Sequence, residues 1–78
     1  MKVSVIIPAG GIGKRFGGST PKQFHKIDGK AIIIHTLRRF LEAGIKNIIV
    51  SIHPVWKEYF VSLIREEEID IYIRIVEG

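Results

Sequence analysis

Three short runs rich in isoleucine and valine, separated by two segments of helical periodicity, constrain the fold more than any other feature of the sequence. The runs are VSVIIP at residues 3–8, NIIVSI at residues 47–52 and IDIYIRI at residues 69–75. The first two are nearly all apolar, which is typical of strands buried on both faces of a parallel sheet. The third alternates, and as a strand it would place four isoleucines on one face.

The segments between these runs predict two helices. From Ala31 to Ala43, apolar residues recur at helical spacing, and Gly44 supplies a stop signal. Pro54 can open a second helix, whose apolar residues continue with the same period as far as Glu68. Strands and helices in this order form right-handed crossovers, so we expect the α/β class, in three α/β/α layers with a mainly parallel sheet.

The chain has 78 residues, which is short for a complete domain of this class. A chain of this size removes only about 60% of its unfolded surface from water. Three strands and two helices scarcely cover both faces of a sheet. We therefore expect residues 1–78 to be the N-terminal part of a single domain whose remainder is missing, with the isoleucine face of residues 69–75 exposed.

Glycine and positive charge are concentrated together after the first run. The stretch IIPAGGIGKRFGG, residues 6–18, contains five glycines, and residues 9–30 hold five lysines and arginines against Asp28 alone. The net charge of +4 therefore lies in this segment. Backbone N–H groups of glycine can approach an anion closely, and so compact a basic segment favours a phosphate ligand over nucleic acid.

Two better known phosphate-binding loops do not match this segment. A P-loop needs serine or threonine after its Gly-Lys pair, but Arg15 follows Gly13 and Lys14. A dinucleotide-binding loop needs a third glycine where Phe16 stands.

Cysteine is absent from the sequence, which excludes disulfides and thiolate metal sites and favours a cytoplasmic setting. The apolar runs are far shorter than the roughly 18 residues that a membrane span requires. We expect neither a membrane nor a nucleic-acid partner.

Two motifs carry a family resemblance: AGGIGKR at residues 9–15 and PKQF at residues 21–24. With these motifs, and with IDGKAIIIHTLRRF at residues 27–40, the chain resembles the N-terminal part of the 2-C-methyl-D-erythritol 4-phosphate cytidylyltransferases of the non-mevalonate isoprenoid pathway. The resemblance implies a Rossmann-like nucleotidyltransferase fold, of which only the N-terminal βαβαβ portion is present here.

The resemblance also implies a reaction and its residues. A phosphate oxygen of the acceptor would attack the α-phosphorus of CTP and release pyrophosphate, and Arg15 and Lys22 would stabilise the pentacoordinate transition state. The backbone of residues 9–14 would wrap the triphosphate. The nucleotide-binding residues implied in this way are Pro8, Ala9, Gly10, Gly11, Ile12, Gly13, Lys14, Arg15 and Lys22.

Other parts of the family's site would follow Gly78, which itself would begin a glycine pair that faces cytosine. These parts are the ligand of the Mg²⁺ cofactor, the rest of the base-binding segment and the residues that position the acceptor. We therefore expect residues 1–78 alone to complete no turnover, and the full-length protein to be a homodimer that uses CTP and a sugar-alcohol phosphate.

Two alternatives to this function stay open. Gly10 stands where the commoner family form has alanine, and the related ribitol-5-phosphate cytidylyltransferases share the same AGG and PKQF sequences. The acceptor would then be ribitol 5-phosphate. From another class, the chain could be a nucleotide-binding fragment without activity of its own.

The remaining polar and aromatic residues have simpler interpretations. His25, His35 and His53 fit no metal-ligand spacing, so we interpret them as surface or helix-packing residues. Gln23 and Phe24 are expected to lock the segment of Lys22 onto the core. Solvent exposure is expected for Arg38, Arg39 and residues 66–68, and simple packing for Trp56 and Tyr59.

Overall fold

The computed structural model describes residues 4–9 and 21–78. Strand β1 is short and is followed, in the next described segment, by a 3-10 helix and a small hairpin of strands β2 and β3. The order then continues through helix α1, strand β4, helix α2, a second 3-10 helix and strand β5. The bounds are β1 Val5–Pro8, first 3-10 helix Lys22–Phe24, β2 Lys26–Ile27, β3 Lys30–Ala31, α1 Ile32–Glu42, β4 Ile48–Ile52, α2 Pro54–Glu66, second 3-10 helix Asp70–Tyr72 and β5 Ile73–Glu77.

The main sheet is parallel, with strand order β1-β4-β5. Val5 is level with Ile48, and Ile48 with Ile73, so the three strands start together and end at the same edge. This confirms the predicted α/β class with its parallel sheet. Within the described residues, no helix is long and apolar enough to cross a membrane.

Both helices pack on the same face of this sheet, because successive right-handed crossovers move in one direction when strand order follows chain order. The buried residues Ile48, Val50 and Ile52 of β4 point to this face. The core they form with the helices and the first 3-10 helix contains Ile7, Ala9, Phe24, Ala31, Ile33, Ile34, Leu37, Ile48, Val50, Ile52, Phe60, Ile64 and Ile69. The described residues thus supply two of the three expected layers.

The other face of the sheet, which we call the open face, consists of the alternate residues Ile6, Pro8, Ile49, Ser51, Arg74 and Val76. Ile6 is 68% exposed and Val76 is 40% exposed. The prediction that β1 is buried on both faces is therefore wrong for the described residues, because no helix among them crosses on this side.

The third predicted strand also begins later than expected. Residues 70–72 form a 3-10 helix, and β5 starts only at Ile73. Ile69 is buried just after the C-terminus of α2, where its N–H donates to the carbonyl of Ile64, whereas Ile71 is 80% exposed. Ile73 and Ile75 are half-buried against the core. The four isoleucines thus do not share one face, and the expected exposed isoleucine surface is not formed.

The ends of the two helices have the same hydrogen-bond geometry. In α1, Gly44 has φ +89°. The N–H of Gly44 donates to the carbonyl of Leu41, and the N–H of Ile45 donates to the carbonyl of Phe40. In α2, Glu68 takes the same place with φ +59°, and its N–H donates to Arg65. Both are Schellman motifs, so Gly44 is confirmed as a stop residue, and Glu68 holds a left-handed conformation that normally favours glycine.

We predict that Glu68→Gly stabilises the protein by about 0.5–1 kcal/mol, because it relieves the left-handed strain at a modest cost in unfolded-state entropy. Gly44→Ala should destabilise by about 1 kcal/mol, since no atom lies within 4 Å of the added Cβ and only the backbone strain counts. Urea unfolding measures both changes. Glu68→Ala removes the same charge but keeps a Cβ, and an equal gain in that control would contradict the explanation.

Candidate active site

The three parallel strands end at one edge of the sheet, which we call the ligand edge because ligands bind there in open α/β folds. Two backbone hydrogen bonds extend the pairing beyond the strands at this edge. The N–H of Ala9 donates to the carbonyl of Ser51 (2.8 Å), and the N–H of Gly78 donates to the carbonyl of Ile52 (3.0 Å). The chain that leaves β1 and the chain that leaves β5 are therefore both fixed to the end of β4.

Three of the predicted nucleotide-binding residues lie in the part of the chain that the structure describes. Pro8 is exposed at the end of β1, Ala9 is buried just beyond it, and Lys22 is exposed on the first 3-10 helix. The other six predicted residues lie outside the described residues: Gly10, Gly11, Ile12, Gly13, Lys14 and Arg15. The roles of all nine stay predictions.

The segment that carries Lys22 is a single tight turn. The N–H of Phe24 donates to the carbonyl of Pro21 (2.9 Å), and the N–H of His25 donates to the carbonyl of Lys22 (3.0 Å). Pro21 and Phe24 are buried on either side of the exposed lysine. The turn therefore directs two apolar residues inward and leaves the ammonium group of Lys22 in solvent.

Phe24 anchors this turn to helix α2. Its ring centroid lies 5.4 Å from that of Trp56, 5.3 Å from that of Tyr59 and 6.3 Å from that of Phe60. Phe24 is only 2% exposed. This confirms that Phe24 locks the segment of Lys22 onto the core, and that Trp56 and Tyr59 are packing residues. Because Trp56 stands in the first turn of α2, just after β4, the anchor ties the turn that contains Lys22 to the part of α2 that follows the end of β4.

A second attachment connects the same segment to helix α1. The N–H of Ile32, the first residue of α1, donates to the carbonyl of His25 (2.8 Å). The hairpin between them turns at Asp28 and Gly29, both with positive φ, as in a type I′ turn. Gln23 is half-buried, and its Oε1 has no hydrogen-bond partner among the described residues. The locking role of this side chain stays a prediction.

The other two histidines act as local hydrogen-bonding groups. Nε2 of His35 lies 2.7 Å from the carbonyl oxygen of Ile27, and Nδ1 of His53 accepts from the N–H of Val55 at 3.1 Å. His53 is thereby the cap of α2, which sequence reasoning missed. In the described residues, no three His, Asp or Glu side chains come together as a metal site.

Gly78 lies against the side chain of Ser51 on the open face. A Cβ added to Gly78 would lie 1.9 Å from Oγ and 3.3 Å from Cβ of Ser51. The backbone that leaves β5 thus passes close over the end of β4. Ser51 and Gly78 meet in this way only because both residues are small.

Glu67, the C-cap of α2, forms ion pairs with two basic side chains. Its carboxylate accepts two hydrogen bonds from Nζ of Lys30 (2.9 and 3.0 Å) and one from Nε of Arg38 (3.0 Å), and a further, short contact comes from Nη2 of Arg38. The expected solvent exposure is therefore wrong for Glu67, whereas Arg38 is ion-paired but stays partly exposed. The Arg38 guanidinium, and then the Lys30 ammonium, lower the pKa of Glu67.

This lowered pKa predicts a pH-dependent contribution to stability. Because the pKa of Glu67 is lower in the folded state, the stabilisation is complete above the ordinary value of 4.5 and disappears as the pH falls through the folded pKa. Glu67→Gln should cost about 1 kcal/mol at pH 7, a modest value because the Lys30 and Arg38 side chains remain 45% and 43% exposed.

Urea unfolding between pH 3 and pH 7 tests this prediction. The difference between wild type and Glu67→Gln should vanish at the acid end. The neighbouring Glu66→Gln, an exposed position on the same helix, is the matched control and should change little. A difference between wild type and Glu67→Gln that does not depend on pH would contradict an electrostatic origin.

Comparison with known proteins adds to this geometry. Residues 3–78 match the model of one protein family, described as IspD, 2-C-methyl-D-erythritol 4-phosphate cytidylyltransferase. Three relatives bear the same enzyme name. The chain is 38% identical to that of Bacillus cereus over 76 residues, 46% to that of Hahella chejuensis over 54 residues and 50% to that of Symbiobacterium thermophilum over 48 residues.

These alignments cover much of this chain but a minor part of each relative. The shares of this chain are 96%, 68% and 62%, and the shares of the relatives are 34%, 22% and 20%. The chain thus spans at most about a third of the length of these curated relatives.

Proposed function

Since the chain belongs to the 2-C-methyl-D-erythritol 4-phosphate cytidylyltransferase family, we propose that the full-length protein transfers CMP from CTP to 2-C-methyl-D-erythritol 4-phosphate. The observation that carries this proposal is the family match over residues 3–78, which includes both AGGIGKR and PKQF. The position of Lys22, fixed through Phe24 to the helix that begins at the ligand edge, supports it.

The proposed reaction is an in-line displacement at phosphorus. A phosphate oxygen of the acceptor forms a bond to the α-phosphorus of CTP, while the bond from that phosphorus to the oxygen bridging to the β-phosphate breaks. Pyrophosphate leaves with the electron pair. Negative charge on the equatorial oxygens is stabilised by cationic side chains, which is the main task of the protein in such chemistry.

Lys22 is suited to this task by its surroundings. Its ammonium group offers three donors, and the tight turn beneath it is held by Phe24 and by the hydrogen bond at His25. A backbone held in this way reduces the reorganisation that is needed to bring the ammonium group to the transition state. Arg15 is proposed to act with it, and the backbone of residues 9–14 to hold the triphosphate.

Mg²⁺ is also part of the proposal, as a counter-ion to the phosphates of CTP. The described residues contain no group of three His, Asp or Glu that could hold it. We propose that its ligand comes from the part of the enzyme that would follow Gly78, and no step here depends on the ion. A cytoplasmic location in the non-mevalonate isoprenoid pathway and a homodimeric state complete the proposal.

A second acceptor is favoured by one residue. Gly10 gives the AGG sequence that the ribitol-5-phosphate cytidylyltransferases also have. Full-length protein incubated with CTP, Mg²⁺ and either 2-C-methyl-D-erythritol 4-phosphate or ribitol 5-phosphate separates the two. We expect pyrophosphate release with the first acceptor. Preference for ribitol 5-phosphate would replace the proposed substrate, and residues 1–78 alone should give no turnover with either.

The kinetics of single variants test the proposed roles. Lys22→Ala and Arg15→Ala should each lower kcat by about 10²- to 10³-fold, with a much smaller change in KM for CTP, because their charges act mainly in the transition state. Gly13→Val should instead raise KM, because its side chain would push the phosphates away from the backbone N–H groups.

Lys26→Ala is the matched control for these variants. It removes an exposed lysine of the same charged segment, four residues from Lys22, and should leave kcat nearly unchanged. Circular dichroism checks that each variant is folded. A Lys22→Ala enzyme with normal kcat at saturating CTP would remove Lys22 from the proposed mechanism.

A further inference from the structure

We propose that His53 is a positioning residue for Lys22, acting through the first turns of α2 and the ring of Phe24. This inference rests on the proposed function, in which Lys22 acts on the reacting phosphate. It concerns residues that sequence reasoning treated as packing or surface groups. Every contact in it lies in the part of the chain that the structure describes.

The first step is the start of α2. His53 has an extended backbone (φ −66°, ψ 137°), and its Nδ1 accepts a hydrogen bond from the N–H of Val55. Its carbonyl accepts from the N–H of Trp56 (2.9 Å), and Pro54 occupies the first helical turn without needing a partner. Side chain and backbone of His53 together thus fix the direction in which α2 leaves the end of β4.

The second step is the aromatic surface that this first part of α2 presents. Trp56 and Tyr59 lie one turn apart, with ring centroids 6.1 Å from each other in an edge-to-face arrangement. Both rings contact Phe24, and the ring of Phe60 is a third neighbour of Phe24, with 6.3 Å between the centroids. Because Trp56, Tyr59 and Phe60 all belong to the first two turns of α2, a change in the capped end of the helix should change the site that receives Phe24.

The third step leads from Phe24 to Lys22. The two residues are part of one 3-10 turn, closed by the hydrogen bonds Phe24 to Pro21 and His25 to Lys22. The rest of the segment is fixed to α1 through the carbonyl of His25. The backbone of Lys22 is thus held by two attachments, one on each helix, and His53 caps the helix that carries the attachment on α2.

The functional consequence is a change in turnover rather than in binding. Misplacement of a catalytic group by about 1 Å can lower a rate by roughly 10²-fold, although the group remains present. Loss of the cap at His53 should therefore lower kcat and leave KM for CTP nearly unchanged, as loss of Lys22 does. Serine in place of histidine can also accept a hydrogen bond from an N–H of the first turn, so His53→Ser should restore most of the kcat.

The experiment compares full-length variants by steady-state kinetics. We expect His53→Ala to lower kcat by about tenfold, with KM for CTP changed less than about twofold, and His53→Ser to recover most of the loss. Val55→Ala is the control, because this side chain is 74% exposed on the same helical turn and its backbone N–H is retained. It should behave as wild type.

A double-variant cycle separates positioning from general structural damage. In the Lys22→Ala background, His53→Ala should cause no further loss of kcat, because the group that it positions is already absent. If His53→Ala does not fold, Trp56→Leu tests the same path, since it keeps an apolar side chain but removes the ring that contacts Phe24. The same kcat-selective loss is expected.

The outcomes distinguish this inference from the proposed function. Normal kcat in a folded His53→Ala, or in Trp56→Leu where His53→Ala does not fold, together with a strong loss in Lys22→Ala, would overturn the positioning role and leave the proposed mechanism standing. Additive losses in the double variant would also overturn it. Normal kcat in Lys22→Ala would overturn both.

Discussion

The pairing of β4 on both of its edges is the constraint on which the rest of the molecule depends. β1 and β5 lie on either side of it in register, and its residues Ile48, Val50 and Ile52 form the centre of the core. The same strand organises the ligand edge. Its last carbonyls hold the backbone that leaves β1 and β5, and the residue that follows it, His53, caps α2. Core and candidate site therefore share one structural support.

Around this support, residues 21–31 form a connection between the two helices. An apolar contact, Phe24 on the aromatic residues of α2, holds one end. A polar cluster, in which the carboxylate of Glu67 binds Lys30 and Arg38, ties the other end to the end of α2 and to α1. These two contacts differ in kind, since the first involves no charged group and the second depends on the charge of Glu67. The lysine proposed to act on phosphate lies at the apolar attachment.

The sequence predicts the elements of this fold better than it predicts their contacts. Hydrophobic periodicity identifies both helices and two strands because it records which residues face the core. It misplaces β5, because a buried Ile69 at the end of a helix and a half-buried Ile73 in a strand follow the same alternation.

The hairpin has the Asp28-Gly29 turn signal, but each of its strands has only two residues and no pattern of its own. Glu67 binds Arg38 and Lys30, which precede it by 29 and 37 positions in the sequence, and no local pattern encodes contacts over such distances. His53 was missed because histidine is not among the usual capping residues.

Arg74 gives the open face a selective character. It stands on an edge strand, level with Ile49, so a charged group interrupts the apolar surface to which Ile6 and Val76 also belong. Another sheet or a second hydrophobic surface that stacked there at random would have to desolvate a guanidinium group without compensation, which is costly. Charges of this kind protect sheets against self-association and amyloid-like growth. A layer that covers this face must either leave the guanidinium of Arg74 in water or offer it a carboxylate or carbonyl oxygen.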